Sequence, residues 1–328
     1  MIKRISCFVI TVCLLLCLVG CNDYKQIEPT DEDLTIVGTV NGRNVYLDEL
    51  RFVTYTYYDI MTARYGEDIF DGDSKEEYLA MLRELVYKNI TYSYAVIELC
   101  DEVGIGLGEK AIIEKVDATL SDMVKNELGS FSKYKKYLRK NHLTDHFLRF
   151  STELTLLENE LMYVYVDDLS LIEKDDEKIY DIIKNEFIVV RHVFVPHTDD
   201  DAEQTINEVL KKHREGTDMT SLISEYNQDP AMTEKGIFIL DGYMTNEYEN
   251  VAFSLEIGQT SDIVVDDNGY YFIERLQTSP ADIMLDFDNL KKTYQTYTFD
   301  SMIDKKQSEL TFIPNEACID YMSDPFAK

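Results

Sequence analysis

The sequence predicts an α+β protein in which a compact unit of strands and short helices is inserted into a mostly helical region. Up to about residue 186, apolar residues recur at three- and four-residue spacing, which is typical of amphipathic helices. From Phe187 the pattern changes to short runs rich in β-branched and aromatic residues, which favour strands. After Pro280 the helical spacing returns, so the strand-rich unit lies between helical segments.

Residues 1–20 have the features of a secretory signal peptide. Lys3 and Arg4 precede an uncharged, mostly apolar stretch at 5–19, which is shorter than the ~20 residues of a membrane-spanning helix. The sequence LVGC at 18–21 resembles the bacterial lipobox, in which the cysteine is acylated and becomes the new N-terminus. This resemblance implies a lipid on Cys21 and a mature protein anchored at the extracytoplasmic face of the cell membrane. The alternative is an ordinary signal peptide followed by an incidental cysteine.

Residues 21–34 are polar and acidic without periodicity, and they predict a flexible tether. The helical N-terminal region is then expected at 35–186. It opens with two short strands around the turn Asn41-Gly42, after which Asp48 is expected to cap the first helix. Later helices are expected at 109–127, 130–140, 144–167 and 175–186.

The inserted unit is expected at 187–278. Its predicted strands are 187–195, 236–240, 262–265 and 270–276, and its predicted helices are 202–214 and 220–226. The remainder, 279–328, is predicted to be a single long helix at about 286–310 that packs on the N-terminal region. An isolated helix of this length is marginal in water, so it must bury its apolar residues. These residues are Phe287, Leu290, Tyr294 and Tyr297.

Charge and cysteine content restrict the function classes. The chain has 32 Lys and Arg residues against 62 Asp and Glu residues, a formal net charge of −30. Nucleic acid is therefore not expected as a partner, because binding it requires a positive surface. Apart from Cys21, processing would leave only Cys100 and Cys318. They are either a single disulfide in an oxidising compartment or two small buried apolar side chains.

Four segments of the inserted unit match, in order and spacing, the motifs of a known family. They are VRHVFV at 190–195, EYNQDP at 225–230, YENVAFSLEIGQ at 248–259 and NGYYFI at 268–273. These segments resemble the parvulin family of peptidyl-prolyl isomerases, and the helical flanks resemble, more loosely, the chaperones of the PrsA/SurA group. The resemblance implies a parvulin-like α/β domain inserted in a mostly helical SurA-type chaperone domain.

The resemblance also implies a site. His192 would be one of two histidines that face each other, Asp229 would lie beside the substrate amide, and Met244, Tyr248 and Phe253 would line a slot for the proline ring. Tyr271 stands where the family has its second histidine, and we expect it to hydrogen-bond His192. The family's glycine-rich loop is contracted here to KGIFILDG at 235–242. Each of these side chains has a purely structural alternative as a core or turn residue.

No cofactor is implied, and the evidence for a metal site is weak. His142 and His146 are four residues apart and would share a helix face as metal ligands, but a solvated face is the more common reason for such spacing.

Two main hypotheses of function follow. The first is a membrane-anchored foldase whose helical region holds unfolded or partly folded exported polypeptides while the parvulin-like unit isomerises their X-Pro bonds. The second is a chaperone that only holds its clients, with a catalytically silent parvulin-like unit; Tyr271 and the contracted loop favour it. A lipoprotein that binds small molecules is a distant third, because alternating βα units are absent.

Overall fold

A computed structural model describes residues 24–326, so Cys21 and the predicted signal peptide lie outside the described residues. The chain forms two compact units. The continuous unit is Ser170–Thr298, and the discontinuous unit combines residues 24–169 with 299–326. The sequence placed the borders of the inserted unit at 187 and 278, so the continuous unit extends further on both sides. No helix within 24–326 is long and apolar enough to cross a membrane.

The discontinuous unit is mostly helical. Its helices are α1 (Leu47–Tyr65), α2 (Lys75–Glu102), α3 (Lys110–Asp122), α4 (Phe131–Lys140), α5 (Asp145–Tyr163) and α12 (Glu316–Ser323), with the second part of α11 (Phe287–Ser308). Short π-helical turns at Met123–Glu127 and Val164–Asp168 extend α3 and α5. A small antiparallel sheet has the order β2-β1-β7, formed by β1 (Ile36–Val40), β2 (Arg43–Tyr46) and β7 (Phe312–Pro314).

The predicted flexible tether is wrong for residues 24–34, because these residues are docked on the discontinuous unit. Tyr24 is 6 % exposed and packs against a core cluster of α3, α4 and α5 residues. Its hydroxyl donates to Asp145 at 2.8 Å, and the Ile27 N–H donates to the same carboxylate at 3.1 Å. Tyr134 is a third donor to Asp145. A buried carboxylate requires such donors, and the polar composition of the segment gave no sign of them.

Two predictions about the first helix and its neighbours are also corrected. Helix α1 begins at Leu47 with Tyr46 at the N-cap, so Asp48 is not the cap. Asp48 is 2 % exposed and contacts Nδ1 of His146 at 2.9 Å. His142 precedes α5 in a left-handed conformation (φ 55°), so the two histidines do not share a helix face. Cys100 and Cys318 are both buried and are not joined by a disulfide.

The C-terminal segment contains more elements than the predicted single helix. A short helix, α10 (Pro280–Leu285), precedes α11, and β7 and α12 follow it. β7 pairs antiparallel with β1, with Gly38 opposite Pro314. The apolar residues at the start of α11 also pack differently from the prediction. Leu290 and its neighbours Phe287, Tyr294 and Tyr297 belong to a cluster of the continuous unit, with Ile179 and Ile183 of α6 (Asp176–Glu186), Phe187, Leu240 and Ile283.

The core of the continuous unit is an antiparallel sheet of order β4-β3-β6-β5. Its strands are β3 (Ile188–Pro196), β4 (Ile237–Ile239), β5 (Val264–Val265) and β6 (Gly269–Leu276). Side chains alternate between the faces along each strand. Val193, Val195 and Phe272 pack with α7 (Ala202–Arg214) and α8 (Met219–Tyr226) on one face. On the other face, the core residues Val190, Tyr271 and Ile273 pack with α9 (Asn246–Ala252), and His192 points to this side because it follows Val190 by two positions.

Candidate functional site

His192 is the centre of the candidate site. It lies on β3, opposite Ile273 of β6, and its side chain is completely buried. Nδ1 is 2.8 Å from the hydroxyl of Tyr248 on α9. Nε2 is 3.2 Å from Oδ2 of Asp229, but the two are not aligned as a hydrogen bond, and Nε2 has no other partner among the described residues. The ring therefore lies between a buried tyrosine, to which it is hydrogen-bonded, and a carboxylate that it contacts.

Tyr248 and Asp229 together define the tautomer of the imidazole. Tyr248 is fully buried, and this burial raises the pKa of its hydroxyl well above the ordinary value, so the hydroxyl keeps its proton. A protonated hydroxyl can donate to Nδ1 or accept from it; the Asp229 carboxylate next to Nε2 favours the arrangement in which Nε2 carries the ring hydrogen and Nδ1 accepts. The ring hydrogen is then on Nε2, next to Asp229. Tyr248 thus acts on the site through His192.

Asp229 is the member of this group that reaches solvent, with 26 % of its side chain exposed. Its backbone is fixed by Asn227, whose Oδ1 accepts from the N–H groups of Phe194 and Asp229. The Ala231 N–H donates to Oδ1 of Asp229 at 2.8 Å. The neighbouring His192, and then this N–H, hold the pKa of the Asp229 carboxyl below its ordinary value against the effect of burial. The carboxylate is therefore ionised at neutral pH.

The predicted hydrogen bond between Tyr271 and His192 is absent. The Tyr271 ring instead packs edge-on against His192, with centroids 5.4 Å apart and an interplanar angle of 88°. Its hydroxyl interacts with Asp266 and Asn268, and burial followed by Asp266 raises its pKa. Tyr248 supplies the hydrogen bond that was expected from Tyr271. Because Tyr248 is fully buried, it does not line an open slot, and this part of the prediction is wrong.

Met244 and Phe253 are half-buried and pack against the core on the His192 face. Phe194, which the sequence motifs did not indicate as a site residue, is half-buried on the same core and lies against Tyr271 with ring centroids 4.7 Å apart. We call Phe194, Met244 and Phe253 the apolar patch. The sequence could have indicated Phe194 as a site residue, because it lies two residues after His192 in a strand and both side chains therefore point to one face.

Two charged side chains, the buried Glu249 and the half-buried Arg275, fix the backbone that carries the patch. The carboxylate of Glu249, 6 % exposed, accepts from the N–H groups of Gly242 and Met244. Arg275 donates from one guanidinium nitrogen to the carbonyls of Phe253 and Leu255, at 3.1 and 2.8 Å. Glu249 and Arg275 were not selected from the sequence, because nothing in a local pattern shows which loop backbone a side chain will meet. Charge-assisted bonds of this kind restrict the loops more than neutral ones would.

Comparisons with known proteins agree with this architecture. The fold and site define a parvulin-type domain joined to a helical chaperone-type domain. Residues 2–162 match the family described as SurA-like N-terminal domain, and residues 190–276 match the family described as PPIC-type PPIASE domain. The chain belongs to the PrsA/SurA group of parvulin-type foldases, and the fold class predicted from the sequence is confirmed.

Individual relatives are distant. The foldase protein PrsA of Caldanaerobacter subterraneus subsp. tengcongensis is 23 % identical over 320 residues, covering 94 % of each chain. The foldase protein PrsA of Clostridium perfringens is 21 % identical over 303 residues, covering 88 % of this chain and 86 % of the relative. Among solved structures, the peptidylprolyl isomerase PrsA from Bacillus anthracis is 22 % identical, with a TM-score of 0.37, covering 67 % of this chain and 96 % of that one.

Proposed function

We propose that this chain is a lipid-anchored foldase that isomerises X-Pro bonds in exported, incompletely folded polypeptides at Asp229. The observation that carries the proposal is a partly exposed, ionised carboxylate next to a buried histidine, on the same face of the sheet as a half-buried apolar patch. The reaction is a rotation that breaks no covalent bond and therefore uses no cofactor. The families matched by the two units support both the holding and the isomerising parts of this function.

The chemistry follows from the electronic structure of the amide. Resonance keeps the X-Pro bond planar with a rotation barrier of ~18–20 kcal/mol, and it places partial negative charge on the carbonyl oxygen. This charge is lost in the twisted state. A carboxylate next to the oxygen therefore raises the energy of the planar form more than that of the twisted form, which lowers the barrier.

The remaining residues have supporting roles in this proposal. The apolar patch would bind the proline ring and exclude water around the amide, which strengthens the effect of the Asp229 charge. His192 lowers the pKa of the Asp229 carboxyl and so keeps it ionised, the Ala231 N–H orients it, and Tyr248 fixes the ring of His192. Met244 and Phe253 would contact substrate, whereas Tyr248 and Tyr271 act from inside the core.

The proposed location depends on LVGC at 18–21, which supports acylation of Cys21 after removal of residues 1–20. Two acyl chains would give stable anchoring, whereas one binds only marginally. The net charge of −30 agrees with a partner other than nucleic acid. Mass spectrometry of the protein extracted from membranes should show a diacylated cysteine at its N-terminus. Membrane attachment that persists in Cys21→Ser would refute the anchor.

Isomerase activity is tested with a proline-containing peptide and the purified full-length protein. Wild type should accelerate cis–trans relaxation, and Asp229→Asn should reduce kcat/KM at least tenfold with an unchanged melting curve. Asp200→Asn is the matched control, because Asp200 is an exposed carboxylate of the same unit outside the site. A wild-type protein that accelerates no peptide, or Asp229→Asn activity equal to that of the control, would overturn the proposal.

A further inference from the structure

The discontinuous unit contains a cavity of about 350 Å³ that the isomerase proposal does not use. Its lining includes polar side chains, among them Asp48 and Glu49 of α1 and Tyr94 of α2, and the apolar side chains Ile97, Phe147 and Phe150. The cavity is partly open to solvent, and Leu107, which also lines it, is an exposed apolar side chain. A space that combines buried carboxyl groups with apolar side chains is suited to a ligand that is itself amphipathic.

Glu49 is buried, with 4 % exposure, and lacks an adequate hydrogen-bond donor. The hydroxyl of Tyr94 lies 3.4 Å from its Oε2. That hydroxyl has a single hydrogen, which it already donates to the carbonyl of Asn44 at 2.7 Å. Oε1 of Glu49 has no hydrogen-bond partner within residues 24–326. A buried carboxylate without donors is costly, and burial, followed by the neighbouring Asp48, raises the pKa of Glu49 to about 8.

Asp48, the adjacent carboxylate, differs in being fully satisfied. It accepts from Thr144 at 2.6 Å and contacts Nδ1 of His146 at 2.9 Å through one oxygen, and it accepts the Glu49 N–H through the other. Arg43, which also lines the cavity, is already paired with Glu98 and Asp101. Glu49 is therefore the carboxyl group of the cavity that lacks a hydrogen-bond donor, and such a donor would have to come from outside the described chain.

We propose that this cavity binds the side chain of a lysine or arginine in an extended client segment, with the cationic head at Glu49. The aliphatic stem would lie against Ile97, Phe147 and Phe150, as long cationic side chains cover apolar surface while their charge remains paired. The cavity volume admits one such side chain. The proposal deepens the foldase function, on which it rests for the origin of the peptide, by naming a side-chain class that the discontinuous unit prefers.

Binding of a cation is linked to proton release. Below pH 8 Glu49 is mostly neutral and must lose its proton to pair with the ligand; above pH 8 it is already ionised. Affinity for the cation should therefore rise with pH and level off above 8. The other titratable and charged groups around the cavity are Asp48, Tyr94, Arg43, Tyr46 and His146. The pKa of His146 is raised by Asp48, with smaller contributions from Asp33 and Asp145, so its protonation at low pH would add repulsion in the same direction.

Calorimetry with the full-length protein tests the proposal. Two unstructured peptides are compared that differ only in a central lysine or norleucine, which has a similar stem but no charge. At pH 9 the lysine peptide should bind at least tenfold more tightly than the norleucine peptide. Its affinity should fall steadily towards pH 6.5, with an upper limit of about 30-fold, which is the decrease in the ionised fraction of a group with a pKa of about 8. At pH 7, buffers of different ionisation enthalpy should reveal release of close to one proton per lysine peptide.

Two variants test whether Glu49 causes the lysine preference and its pH dependence. Glu49→Gln should remove the lysine preference and its pH dependence, whereas His146→Gln should keep both. Equal binding of the two peptides by wild type, or no proton release, would overturn the proposal without any variant. A lysine preference that survives in Glu49→Gln, or a pH dependence that is lost only in His146→Gln, would also overturn it.

The same preparations separate this inference from the foldase proposal. Glu49→Gln should isomerise the proline peptide as fast as wild type, because Glu49 lies outside the candidate isomerase site. Failure of wild type to isomerise, combined with a lysine preference that depends on Glu49, would refute the isomerase alone. The reverse pattern would refute the cavity alone.

Discussion

The change from the family's second histidine to Tyr271 affects the site less than the sequence suggested, because Tyr271 does not bind His192. The hydrogen bond to Nδ1 comes from Tyr248, in the first turn of α9. Tyr271 contributes an edge-on ring contact and directs its hydroxyl to Asp266 and Asn268. The orientation of His192 toward Asp229 therefore depends on Tyr248, the tyrosine that the family resemblance placed in the slot for the proline ring.

Removal of the Tyr248 hydroxyl should reduce activity. Tyr248→Phe leaves a buried ring nitrogen of His192 without a partner, which costs about 1–3 kcal/mol of stability and permits the other tautomer. We expect kcat to fall severalfold with little change in KM, and an altered pH profile. Tyr271→Phe is the matched control, since it removes a buried hydroxyl that does not reach His192. Stopped-flow isomerisation kinetics check both, and equal effects of the two substitutions would contradict the assigned role of Tyr248.

The residues of the site were predictable to different degrees. Sequence motifs suggested that His192 and Asp229 would meet, and they are 3.2 Å apart. Phe194 could have been predicted from the alternation of side chains along a strand, because it lies two residues after His192. The positions of hydroxyl groups and the bonds made by Glu249 and Arg275 were not predictable, because they depend on which donors and acceptors folding brings together from distant parts of the chain.

The observed helices agree closely with the predicted ones where the apolar pattern is long and a capping residue marks the start. Helix α7 occupies the predicted 202–214, and Thr144 and Asp175 cap α5 and α6 with their side chains. The C-terminal elements β7 and α12 were missed, because a strand of three residues is too short to show alternation. The partner of β7 is also remote in sequence, since β1 lies at the start of the described chain.

The pairing of β1 with β7 requires the glycine at position 38. A Cβ there would lie 2.5 Å from a ring carbon of Phe312 and 2.6 Å from the carbonyl oxygen of Ile313. The second atom belongs to the backbone, so the strand itself would have to move. We expect Gly38→Ala to lower the free energy of unfolding of the discontinuous unit by about 1–3 kcal/mol.

Gly106→Ala is the control for this prediction. Its nearest atom would be 3.8 Å from the added Cβ, and its backbone conformation suits alanine, so its stability should equal or slightly exceed that of wild type. Denaturant unfolding followed by circular dichroism measures both variants. A Gly38→Ala protein as stable as Gly106→Ala would show that β7 does not pair with β1 in solution.

At the level of the whole molecule, the discontinuous unit is closed by contacts between its two sequence segments. β7 pairs with β1, Lys306 of α11 binds Glu102 of α2, and the rings of Tyr165 and Phe299 are 6.0 Å apart. The last contact shows that the points where the chain leaves and re-enters this unit are close together. Insertion of a domain is tolerated at sites of this kind.

Two excisions test where the inserted unit begins and ends. Replacement of 170–298 by a short Gly/Ser linker should leave a cooperative, mostly helical protein, because the linker only has to join residues near Tyr165 and Phe299. Replacement of 187–278, the narrower segment that the sequence predicts, should give a less stable protein. It removes Leu240 but keeps Ile179, Ile183 and Leu290, whose apolar surfaces then lose part of their core. Thermal melting by circular dichroism and binding of a hydrophobic dye distinguish the products. A narrow excision that melts higher and binds less dye than the wide one would place the borders of the unit near 187 and 278 instead.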